Sequence, residues 1–152
     1  MVVGSQDTKY GCCVWDLDGH LVHAFTSHPN DHIRVNDLAV SPDGTRLVVL
    51  LETRIQVYDF ESKEKLCEWP FDDVKLTSVT ISKDSTHMLV SMNKNKIRLM
   101  EIDTGRELLG FEGQVQENFI IRSSFGGADE NFIVSGSEGE FLSPRSNNSY
   151  RY

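Results

Sequence analysis

Four histidines, His20, His23, His28 and His32, fall close together and follow the adjacent thiols Cys12 and Cys13. Imidazole and thiolate are the usual ligands of zinc, so this segment is where the residue types most invite metal chemistry. The spacing argues against it. Zinc sites draw paired ligands a few residues apart from each half of the site, whereas adjacent cysteines on a strand point to opposite faces. The expectation is therefore no metal, with His28 and His32 solvated in the polar stretch Ser27-His28-Pro29-Asn30-Asp31-His32. Three cysteines, an odd number, also make no disulfide framework and read as reduced thiols.

The remaining chemistry-bearing groups point the same way. Phe125-Gly126-Gly127-Ala128-Asp129-Glu130-Asn131 has the glycines of a phosphate cradle, but such a loop must open a helix, and an apolar strand pattern over 131–135 follows instead. It reads as a turn between strands. No Gly-x-Ser-x-Gly elbow is present, and Asp72, Asp73, Glu112 and Glu117 fall in predicted loops without a nearby histidine to share acid–base work. Lys83, Lys94, Lys96 and Arg98 form a modest basic cluster without interleaved aromatics. No catalytic residue, cofactor or small-molecule substrate is expected.

The elements that position these groups begin with composition. The 152 residues carry 15 basic and 23 acidic side chains, a net charge of −8, which disfavours a nucleic-acid backbone or an anionic lipid surface as partner. Hydrophobic residues at 39% and charged residues at 25% are near the globular average. No apolar run is long enough to cross a membrane, and Met1-Val2-Val3-Gly4-Ser5 lacks the basic start and apolar run of a secretory signal. Cytoplasm or nucleus is the expected location.

Order along the chain is more informative than content. Cys13-Val14-Trp15-Asp16-Leu17 returns as Gln56-Val57-Tyr58-Asp59-Phe60 and again as Arg98-Leu99-Met100-Glu101-Ile102. In phase with it, Leu38-Ala39-Val40-Ser41-Pro42-Asp43-Gly44 returns as Val79-Thr80-Ile81-Ser82-Lys83-Asp84-Ser85. A period of about 40 to 45 residues with four short strands per unit is the signature of a β-propeller blade. Residues 35–70 make one such blade: an inner strand over 35–41, a Pro-Asp-Gly turn, the continuously apolar Leu47-Val48-Val49-Leu50-Leu51, an alternating strand over 54–60 and an outer strand over 65–69. Residues 76–113 make a second. Residues 10–25 supply the last two strands of a preceding blade, with Val2-Val3-Gly4 as a remnant before them, and 119–125 with 131–135 supply the first two of a following one. The fold class is all-β: a partial propeller of about three and a half four-stranded antiparallel blades from a disc of seven, over residues 1–139. Seven blades would need on the order of 300 residues. The polar, proline-containing stretch 140–152 reads as a disordered tail, and the whole as a truncated fragment.

Three segments carry a resemblance: Gly11-Cys12-Cys13-Val14-Trp15-Asp16-Leu17, Phe119-Ile120-Ile121-Arg122-Ser123-Ser124-Phe125-Gly126-Gly127, and Phe132-Ile133-Val134-Ser135-Gly136-Ser137-Glu138. Together they resemble the WD-repeat subunit of the GID/CTLH E3 ubiquitin ligase, the fungal members most. The resemblance implies a non-catalytic scaffold that organises the ligase and helps present substrates for proteasome-dependent degradation, with the other ligase subunits as partners. The chain departs from that family in lacking the helical LisH and CTLH region and the closing blades, and Gly113-Gln114 stands where a glycine-histidine often opens the repeat. Scaffolding in another pathway, or no independent function, are the alternatives. Loops at one end of the blades are the natural protein-binding elements, because sheets hold them rigid. They select Arg34, Asp72, Asp73, Gln116 and Glu117 before the inner strands, and Glu52, Arg54, Lys94 and Lys96 between second and third strands.

Overall fold

The computed structural model describes residues 1–4, 11–25, 34–117 and 119–138. The segment with His28 and His32 and the stretch 140–152 lie outside the described residues. Among those described, all regular structure is strand. β1 (Val2–Gly4), β2 (Cys12–Trp15) and β3 (Leu21–Phe25) form one sheet. β4 (Val35–Val40), β5 (Arg46–Leu51), β6 (Arg54–Asp59) and β7 (Lys65–Pro70) form the first complete blade, in sequence order. β8 (Leu76–Ile81), β9 (His87–Met92), β10 (Lys96–Glu101) and β11 (Glu107–Glu112) form the second, and β12 (Ser123–Gly126) pairs with β13 (Phe132–Ser135). Every pairing is antiparallel.

The central strands are apolar on both faces because each lies between two sheets. Leu47, Val49 and Leu51 pack toward Cys12, Val14 and Phe25 of the first sheet. Val48 and Leu50 pack the other way, with Leu76, Val79, Met88, Val90 and Met92 of the second blade. Leu89, Ile97 and Leu99 then face Phe125 and Ile133 of β12 and β13. The strand over 54–60 is less simply alternating than its sequence suggests: Ile55 and Val57 are buried on one side, while Tyr58 and Phe60 pack against the neighbouring cluster on the other.

The repeated Ser-x-Asp turns are built by the same bonds twice. Ser41 Oγ donates to Asp43 Oδ1 at 2.5 Å, Asp43 accepts the Thr45 amide at 3.0 Å, and the Arg46 amide returns to Ser41 Oγ at 2.9 Å. Ser82, Asp84, Thr86 and His87 repeat this at 2.5, 3.0 and 3.0 Å. Gly44 sits at φ 76°, and Ser85, its counterpart, is held at φ 62°. Ser85 Oγ accepts the Asp43 amide at 3.1 Å, and Arg46 Nε donates to Asp103 Oδ1 at 3.0 Å, so neighbouring blades are tied at this end. Between inner strands, Asn36 Nδ2 donates to the Leu76 carbonyl at 2.7 Å and Asp37 Oδ2 accepts the Val79 amide at 3.0 Å.

The strand expected over 119–125 begins only at Ser123. The Glu117 and Phe119 amides donate to Glu138 Oε1 at 2.8 and 2.9 Å, so this backbone is taken up by a side chain rather than a ladder. Gly126 ends β12 opposite Phe132 and Gly127, at φ 85°, opens the hairpin turn between the two antiparallel strands.

Candidate protein-interaction face

Antiparallel order places the hairpin loops β5–β6 and β9–β10 at the same end of the blades as the crossings into β8 and β12. Hydrogen bonds join these loops into a belt. The Phe71 amide donates to the Thr53 carbonyl at 2.8 Å and the Leu76 amide to the Glu52 carbonyl at 2.9 Å. The Lys75 amide donates to Asn93 Oδ1 at 2.8 Å, the Asn93 amide to the Lys75 carbonyl at 2.8 Å, and the Gln116 amide to Asn95 Oδ1 at 2.7 Å. The Val115 amide donates to Ser137 Oγ at 3.0 Å, and the Glu138 amide to the Val115 carbonyl at 2.8 Å. Each crossing is thereby fastened to the hairpins on either side.

Six of the nine residues selected from sequence, Glu52, Asp72, Asp73, Lys94, Gln116 and Glu117, lie in these loops, while Arg34 immediately precedes β4. Lys94 Nζ donates to the Asp73 carbonyl at 2.8 Å, joining two residues that both adopt left-handed backbone, at φ 62° and 58°. Lys75 lies 2.5 Å from Glu52; that hydrogen bond and charge hold the Glu52 carboxyl below its ordinary range, and Arg34 adds a smaller pull. Asp72 and Glu117 are exposed and Gln116 is half-buried. Arg54 and Lys96 differ from the expectation. They begin β6 and β10, and their charged ends meet Glu68 at 3.5 Å and Glu112 at 3.3 Å on the adjacent outer strands. A long side chain at a strand's first position reaches its cross-strand neighbour more readily than the loop tip. With Arg98 on Glu107 at 2.8 Å, the basic cluster read from sequence is largely paired.

Sequence reasoning missed Lys75, Asn93 and Asn95, although asparagines flanking Lys94 are a turn signal: Asn tolerates left-handed backbone, and Asn95 has φ 61°. It also missed Phe119 and Ile120, 72% and 60% exposed beside Glu117 on the belt, because Phe119-Ile120-Ile121 has the composition of a strand.

Among the described residues of metal-ligand type, Asp16 and His20 close a turn. Asp16 Oδ1 accepts the Asp18 and His20 amides at 2.9 and 2.8 Å, and Oδ2 lies 3.1 Å from His20 Nδ1. The His20 amide above all, then its ring and the Asp18 and Gly19 amides, lower the Asp16 carboxyl from its ordinary value. Asp16, Asp18 and His20 bring ligand-type atoms within 4.8 Å of one another, and the Asp16 carboxylate caps the turn that joins them. Cys12 and Cys13 are both buried, and burial first, with Cys13 alongside, pushes the Cys12 thiol up to about 12. That is the environment of an inert thiol. Gln114, at the altered glycine-histidine position, has its Nε2 buried without a partner among the described residues.

No family model matches the chain. It is 35% identical over 143 residues to the WD repeat-containing protein WDS homolog of Arabidopsis thaliana, covering 91% of this chain and 26% of that one. It is 34% identical over 134 residues to the WD repeat-containing protein 26 homolog of the same plant, covering 86% and 22%. GID complex subunit 7 of Schizosaccharomyces pombe is 29% identical over 161 residues, covering 88% and 31%. The chain thus spans about a quarter of the length of the curated relatives it matches. Four-stranded antiparallel sheets repeating in register with the Trp-Asp-type strand ends, together with this similarity, identify the chain as a stretch of WD-repeat β-propeller.

Proposed function

We propose that the chain is a non-catalytic WD-repeat scaffold whose belted loop face takes protein partners, and that those partners are subunits of a GID/CTLH-type ubiquitin ligase acting in cytoplasm and nucleus. There it organises the ligase and helps present substrates for proteasome-dependent degradation. The observation that carries the binding face is the pair Phe119 and Ile120, large apolar side chains turned to solvent on a backbone fastened by Glu138. Aromatic and aliphatic anchors on a rigid loop, rimmed by charge such as Glu117 and Asp73, have the composition of an interface centre. Similarity to a protein named as a GID complex subunit supports the ligase assignment.

The test is copurification from cells with the tagged full-length protein, parent against a Phe119→Ser/Ile120→Ser variant. Ligase subunits should accompany the parent and fall by roughly tenfold or more with the variant. Equal recovery would overturn the face. Their absence from the parent would overturn the ligase and leave a WD-repeat scaffold of another pathway.

A further inference from the structure

Equivalent positions at the two successive blade interfaces are filled by different chemistry. Between the first and second complete blades, Asp37 on β4 stands opposite Leu50 on β5. The Asp37 carboxylate spans the interface to the Val79 amide, and Leu50 fills the space beside it. One repeat later, Ser78 stands opposite Ser91, so both point toward β12 from the face they share with Leu89 and Thr80. Thr80 Oγ1 donates to the Ser123 carbonyl at 2.8 Å, and Ser91 Oγ lies 2.9 Å from Ser123 Oγ, which fixes β12 as the element opposite.

Ser78, Ser91 and Ser123 are each at most 2% exposed. A serine is far smaller than leucine and shorter than aspartate, so this pair brings less apolar volume and a shorter polar reach to its interface than Leu50 and Asp37 bring to theirs. Ser91 and Ser123 share one hydrogen bond, while Ser78 Oγ has no hydrogen-bond partner among the described residues. A buried hydroxyl without a partner costs about 1–3 kcal/mol, and polar sites of this kind are where proteins hold ordered water, with 2–4 polar partners each.

We propose that Ser78, Ser91 and Ser123 form a binding site for one internal water molecule that bridges Ser78 Oγ to the Ser91–Ser123 pair and ties the second blade to β12. The water accepts or donates at Ser78 and completes the second bond available to a hydroxyl of the pair. It performs at this interface the cross-blade link that the Asp37 carboxylate makes directly at the preceding one.

The experiment is a crystal structure of the full-length protein at a resolution that orders waters, with Ser78→Ala and Ser91→Leu variants beside it. The parent should show one fully occupied water within hydrogen-bond distance of Ser78 Oγ and of Ser91 or Ser123. Ser78→Ala should lose or disorder it. Ser91→Leu, which installs the side chain of the preceding interface, should expel it. Should either variant fail to fold, the parent structure alone still decides, by the presence or absence of a water at Ser78 Oγ. Rotation of Ser78 into a direct three-hydroxyl cluster with no water, or a water that persists unchanged in Ser78→Ala, would overturn the proposal.

Discussion

Asp43 and Asp84 are one residue type in one place, a repeat apart, and each holds its turn through a carboxylate between a serine hydroxyl and a backbone amide. Asp84 is held down at about 2, by the Ser82 hydroxyl first and then by the Thr86 amide and hydroxyl and the charge of His87, against some desolvation. Its ordinary value is 3.8, so the folded chain binds this proton less readily than the unfolded one. The resulting stabilisation is fully present above about pH 4 and disappears as the pH falls toward 2. Asp84→Asn should lower stability at neutral pH and make the loss on acidification between those limits shallower, as read from denaturant midpoints against pH. Parallel curves for parent and variant would show that the turn does not depend on the carboxylate charge. Both aspartates were legible in the sequence as turn residues. That Ser85 also reaches the Asp43 amide was not, because it depends on two turns 42 residues apart being brought side by side.

At the scale of the strand, burial on two faces separates the central strands from the outer ones. Leu50 is fully buried between two blades, whereas Leu66 on β7 is 49% exposed. Leu50→Ala should cost about 2–5 kcal/mol, and Leu66→Ala should stay within about 0.5 kcal/mol of the parent, both from equilibrium unfolding. Comparable losses would mean that β5 is not enclosed as described. The run Leu47 to Leu51 announced this enclosure, since a strand with one wet face would alternate. β6 was harder to read: Tyr58 is half-buried, packing its ring on one blade while its hydroxyl donates to Gln56 Oε1 at 2.8 Å, and an amphipathic side chain leaves no clear mark in an alternation pattern. The start of β12 was misplaced for a different reason. Phe119-Ile120-Ile121 has strand composition, but Glu138 takes the Phe119 amide, and nothing local to residues 119–121 reveals a carboxylate that distant in the chain.

The whole molecule is held by ties that cross from blade to blade, and Asp37 makes two of them. It accepts the Val79 amide on the next inner strand and lies 3.4 Å from the guanidinium of Arg122, the residue before β12, so one side chain links β4 to β8 and to the approach to β12. Asp37→Ala should leave the Val79 amide without its acceptor, at about 1–3 kcal/mol, and accelerate its hydrogen exchange. Asp37→Asn, which keeps an acceptor oxygen, should cost less. Unchanged exchange at Val79 in the alanine variant would show that the amide does not depend on this link. A second cross-blade contact constrains the outer rim: the Trp69 indole lies over Gly105, at φ 68°, where a Cβ would collide with the ring.

The sequence by itself determined the blade, because its causes are local and repeated: alternation, a turn chemistry of Ser-x-Asp, and an apolar strand between two sheets, all returning with one period. It also located the end of the blades that carries the candidate face, since strand order alone decides which loops share an end. Only the tertiary structure decided which of those loop residues are drawn into ion pairs, which bind neighbouring backbone and which are left to solvent. Arg54 and Lys96 turn to their outer strands, Lys94 to Asp73, and Phe119 with Ile120 outward. Those outcomes depend on partners tens of residues away and on distances of a few ångströms, which a repeat period does not encode.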